Sequence, residues 1–155
     1  MVEEHPSSRD TETVARLLGR DPLGRFSVAA RSVSGDPIVI KNVPFLDDGT
    51  PMPTIYWLVG ERECAMVGRL ESTGGVRRAE REIPADVIAE MHIRYAAERD
   101  VSIVPDHQGP RPSGGVGGTR RGVKCLHTHY ADYLAGWRDP VGVWVHNELV
   151  AAGEI

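Results

Sequence analysis

The stretch from Val104 to Gly122 constrains the fold more than any other part of this chain. It is rich in glycine and proline and shows no apolar period. Proline withholds a backbone donor and glycine carries a high entropy cost in regular structure, so neither helix nor strand is expected there. An irregular stretch this long is uncommon in a compact domain and signals either function or disorder. The regular elements must therefore come from the segments on either side.

Before it, residues 1–9 read as a disordered lead-in. Asp10 or Thr11 can cap a helix whose apolar positions Val14, Leu17 and Leu18 recur at helical spacing and which Gly19 ends. Phe26 to Val33 and Pro37 to Val43 are β-branched runs joined by the turn Ser34-Gly35-Asp36. The turn signal Asp47 to Pro51 precedes a third strand, Thr54 to Val59. The pattern then becomes helical. Cys64, Val67 and Leu70 share one side of Glu63 to Ser72, and Gly74-Gly75 stops that helix. Val87, Ile88, Met91 and Tyr95 stripe a longer helix from Pro84 to about Asp100, with arginine and glutamate on its solvated faces. Beyond the loop, Val123 to Ala135 and Pro140 to Ala152 complete the set. The expectation is an α+β fold: a small antiparallel sheet of about three strands in the N-terminal half, packed with four to five helices. One domain spans residues 10–152, with 104–122 as a long loop within it.

The chain has 155 residues, which suits one domain with a sizeable core. Its formal net charge of -4 argues against a general nucleic-acid binder. Two cysteines make no disulfide framework and fit a reducing, cytoplasmic setting. No apolar run approaches the ~20 residues of a membrane span, and the acidic, polar N-terminus is unlike a signal peptide.

The chemistry concentrates at the end of the long loop. Gly114 to Gly122 leads into a helix, where glycine-rich backbone can turn its amides toward one point and a helix start adds partial positive charge. Gly117, Gly118, Arg120, Arg121 and Lys124 are the candidate ligands for a small phosphate-bearing anion. The stretch is neither a Walker loop nor a dinucleotide fingerprint, since it lacks a Gly-Lys-Ser/Thr triplet and no clear strand precedes it. The plain alternative is a surface loop with solvated arginines.

Lys124-Cys125-Leu126-His127-Thr128-His129-Tyr130 follows. On a continuous helix, Cys125, His129 and Asp132 share a face and His127 points away. If the helix starts after Cys125, Cys125 and His127 can instead converge on one ligand. Three readings compete. A soft metal such as zinc could be held by Cys125, His127 and His129, or with help from His92 or His107. Cys125 could be a thiolate nucleophile with a histidine as base, making Cys125, His127 and His129 the catalytic candidates. The bland reading is a buried cysteine with satisfied histidines. Separately, Trp137, Trp144, Val141 and Val145 could dock a protein partner, making the chain a non-catalytic interaction module.

Several blocks resemble a known family. Asp48-Gly49-Thr50-Pro51-Met52-Pro53-Thr54-Ile55-Tyr56-Trp57-Leu58, Arg69-Leu70-Glu71, Gly74-Gly75-Val76-Arg77, Tyr95 to Asp100, and Gly122-Val123-Lys124-Cys125-Leu126-His127 occur in the order seen in domain of unknown function 501, a largely actinobacterial family. The resemblance runs from about Val14 to Val145. It implies small cytoplasmic proteins whose genes often neighbour those of a septum-formation initiator and an exopolyphosphatase-type phosphatase, hence a division, envelope or phosphate-linked context. Its most distinctive motif falls on Lys124, Cys125 and His127. Some relatives resemble each other in carrying cysteines where this chain has Ala30 to Val33 and Val59-Gly60. Any metal site built on those cysteines would here lack ligands.

Overall fold

The computed structural model describes residues 3–155. The first helix, α1, spans Ser8–Leu18. Ser7 caps it: the Ser7 hydroxyl accepts from the Asp10 amide, and the Asp10 carboxylate accepts from the Ser7 amide at 2.9 Å. Asp10 is therefore the return half of a capping box rather than the cap itself. Residues 8 and 9, part of the expected lead-in, form the first turn. Glu4 bridges Val28, while Met1 and Val2 lie outside the described residues. Arg31 grips Asp10 from the sheet, at 2.8 and 3.1 Å, which ties α1 to the first hairpin.

Three strands form one antiparallel sheet in the order β1 (Phe26–Arg31), β2 (Pro37–Asn42), β3 (Tyr56–Leu58). Side chains alternate across a sheet, so the neighbours Val39 and Ile40 enter different cores. Ile40 joins Val14 and Val59 beneath α1. Val39 joins Ile55, Tyr56 and the interior faces of α2 (Glu61–Ser72), α4 (Ala85–Val101), α5 (Leu126–Leu134) and α6 (Pro140–Ala151). Helices thus cover both faces of a small sheet, and the chain is α+β. Among the described residues there are six α-helices, one more than expected. The extra one is α3, Gly75–Glu82, whose only apolar side chains are Val76 and Ala79.

The long loop is pinned to α4. Arg99 is 2% exposed and sends its guanidinium to the carbonyls of Pro53 (3.1 Å), Gly114 (2.8 Å) and Pro112 (3.4 Å). Two turns away, His92 takes the Val116 amide on Nδ1 at 3.1 Å and gives its Nε2–H to the Gly122 carbonyl at 2.8 Å. That pairing fixes the neutral tautomer. Burial holds the His92 pKa below its ordinary value, ahead of the opposing bond to Gly122. Gly114 (φ 71°) and Gly115 make this contact possible. A Cβ on Gly114 would fall 2.4 Å from the Gly118 carbonyl oxygen, and one on Gly115 2.6 Å from His92 Cβ. No helix among the described residues is long and apolar enough to cross a membrane.

Candidate functional site

The helix expected from Val123 starts instead at Leu126, because Cys125 has extended backbone (φ −152°, ψ 155°) and stands as the N-cap. A helix start leaves amides without intrahelical partners. Here carboxylates from elsewhere in the chain take two of the amides in this segment. Glu71 Oε1, on α2, accepts from Leu126 at 2.7 Å, and Glu80 Oε1, on α3, accepts from Val123 at 2.8 Å.

Glu71 is thereby brought against Cys125 and His127. The thiol, an imidazole nitrogen and a carboxylate oxygen all lie within 4.8 Å of one another, and all three residues are partly exposed. His127 Nδ1 sits 3.0 Å from Glu71 Oε1 and Nε2 sits 3.3 Å from the Cys64 carbonyl. The interaction with Cys125, followed by the pull of Glu71, raises the His127 pKa to about 9 against the effect of burial. Burial alone would raise the Cys125 thiol. The bonds from His127 and from Thr128, whose hydroxyl is 3.5 Å from the sulfur, outweigh it and leave Cys125 below its ordinary value.

The continuous row Cys125, His129, Asp132 does not form, since an extended N-cap breaks the i, i+4 relation. His129 and Asp132 are fully buried on another side of α5. His129 Nδ1 contacts Asp139 Oδ2 at 2.8 Å. Asp139 also caps α6 through the Val141 and Gly142 amides. Asp132 pairs with Arg94. Burial, reinforced by Asp139, raises Asp132 to about 7 despite that arginine. His92 belongs to the loop contact above, and His107 stacks on Phe45 at 4.3 Å between ring centres. Neither joins the Cys125 cluster.

The anion candidates are divided. Gly117, Gly118, Arg121 and Lys124 line a shallow cavity of about 470 Å³ together with Glu80. Arg120 lines a different cavity, beside His92 and Arg99. The Gly117 amide is spent on Thr54 Oγ1 (3.0 Å), the Gly118 amide on the Gly115 carbonyl (3.0 Å), and Lys124 Nζ on the Gly117 carbonyl (3.2 Å). Neither cavity is lined by Cys125 or His127. Of the residues considered for docking a partner, Val141 and Val145 are core. The Trp137 indole donates to Tyr56 and the Trp144 indole to Glu82.

The residue that spacing could not find is Glu71, more than fifty positions before Cys125. Its one signal is its place in the Arg69-Leu70-Glu71 block. The fold and this cluster describe an α+β domain with a carboxylate, a thiol and an imidazole gathered at one helix start. The chain belongs to the family described as Protein of unknown function (DUF501), whose model matches residues 28–147. No curated protein and no solved structure matches the chain.

Proposed function

We propose that this chain binds a divalent metal of the zinc class through Glu71, Cys125 and His127. The observation that carries the reading is the convergence of three ligand atoms of complementary type, from two distant segments, within 4.8 Å. Zinc at its usual bond lengths needs ligand atoms about 3.3–3.6 Å apart, a small contraction of such a cluster. One sulfur, one imidazole and one carboxylate suit zinc better than the hard cations, which take oxygen alone.

Two surrounding contacts favour the same reading. A ligating histidine usually donates its other ring N–H to a carbonyl or carboxylate, which fixes the tautomer. The Cys64 carbonyl is placed to accept from His127 Nε2, leaving Nδ1 toward Glu71 as the ligand nitrogen. The Leu126 amide orients the Glu71 carboxylate in the same way. A metal here would clip α2 to the start of α5. With three protein ligands and partial exposure, it would keep a coordination position for water or a small anion. His129 has no part in the set, because Asp139 holds it in the interior.

Elemental analysis of purified protein tests this. The expected result is one zinc per chain, lost in Cys125→Ser and His127→Gln and weakened in Glu71→Gln, with His129→Gln leaving the stoichiometry unchanged. Cobalt substitution should add a thiolate-to-metal charge-transfer band that Cys125→Ser abolishes. Metal-free protein that takes up neither ion would remove the reading. The cavity of Gly117, Gly118, Arg121 and Lys124 supports a second, separate reading as a small-anion site. Phosphate titration followed by NMR at those residues decides it, and unmoved resonances at millimolar phosphate would end it.

A further inference from the structure

We propose that Cys125 is an oxidative modification site, where a hydroperoxide converts the sulfur to a sulfenic acid and so expels the metal held with Glu71 and His127. The inference rests on the metal reading of these residues and adds its regulation.

Three features of the site lead here. The cluster contains a single sulfur among three ligand atoms, so oxidation of one atom removes a third of the protein's hold on the ion. Cys125 is a partly exposed residue at the start of α5, unlike the sealed His129 and Asp132 on the same helix. The second cysteine has its thiol engaged with another partner. The Cys64 thiol donates to the Leu58 carbonyl at 3.3 Å, and Cys64 faces the cluster through its own carbonyl next to His127. The sulfenic acid would form with the Thr128 hydroxyl beside it.

The step balances without further reagents. A sulfur lone pair of the thiolate attacks the distal peroxide oxygen, and the S–O bond forms as the O–O bond breaks. The departing oxygen leaves as hydroxide or alkoxide and takes a proton from water. The sulfur is oxidised by two electrons and the peroxide is reduced by two, and the transferred oxygen keeps its hydrogen, so the product is the sulfenic acid itself. Glu71 and His127 remain, 3.0 Å apart, able to share a proton in place of the ion. A thiol reductant reverses the reaction and restores the third ligand.

The test uses the full chain loaded with zinc and treated with hydrogen peroxide, with zinc release read by a chromogenic chelator. Sulfenic acid is trapped with dimedone and located by mass spectrometry. The expected result is zinc released in step with adduct on Cys125, with Cys64 unlabelled, Cys64→Ser matching the parent protein, and rebinding after reduction. A loaded chain that keeps its zinc, or releases it with Cys125 unlabelled, overturns this inference alone. A chain that takes up no zinc before peroxide is added overturns it together with the metal reading.

Discussion

Arg99→Met removes the cation that holds the long loop against α4. Methionine fills similar volume but donates nothing. The carbonyls of Pro53 and Gly114, bonded at 3.1 and 2.8 Å, would lose their partner, and the weaker bond to Pro112 at 3.4 Å would go with them. A buried acceptor left without a partner costs roughly 1–3 kcal/mol. The two well-formed bonds set the scale, and the desolvation that methionine avoids offsets part of it. The net loss is about 2–4 kcal/mol. For a chain of this size that lowers Tm by roughly 4–16 °C. Calorimetry measures the shift, and hydrogen exchange should show lost protection at the Val116 and Gly117 amides, which His92 and Thr54 now hold. A Tm change below about 2 °C with unchanged exchange would refute the view that Arg99 organises the loop.

Zinc at a hundred times its dissociation constant should stabilise the protein by about 2.7 kcal/mol, and scanning calorimetry of Cys125→Ser should show no such gain. Gly115→Ala should destabilise by at least 1 kcal/mol, since its Cβ would meet His92 at 2.6 Å; denaturant unfolding within about 0.3 kcal/mol of the parent would show the close approach to be relaxed at no cost. Asp139→Ala should cost about 2–4 kcal/mol, because it strips the cap of α6 and the partner of buried His129, and chemical denaturation reads it directly. His92 is held neutral, with its pKa below 6.5, so the unfolded chain binds the extra proton and His92 draws stability down as pH falls below about 6.5. Asp132, raised by burial, acts in the opposite sense. The measurement is therefore the difference between parent and His92→Gln over pH 5–7, with the parent's stability falling more steeply on acidification.

The strands were legible because β-branched runs stood between strong turn signals, and their ends fall within three residues of the pattern. Helix α3 was not, since Gly75–Glu82 is charged nearly throughout and packs through Ala79. The start of α5 was misread for a related reason. Cys125 is no usual capping residue and its side chain makes no cap bond, while Glu71 and Glu80, distant in sequence, supply acceptors to the amides nearby. That displacement decides which candidates meet: it turns Cys125 toward His127 and leaves His129 to Asp139. Arg99 looked like part of a solvated helix face, because arginine and glutamate fill that face, and only tertiary structure shows it swallowed by the loop. Cys125 and His127 could be read locally, whereas their third companion depends on how two helices cross.

X-ray absorption at the zinc edge of the loaded protein examines the coordination sphere itself. One sulfur near 2.3 Å with nitrogen and oxygen neighbours at about 2.0–2.2 Å is the predicted shell. A shell with no sulfur, or with two, would contradict coordination by Glu71, Cys125 and His127.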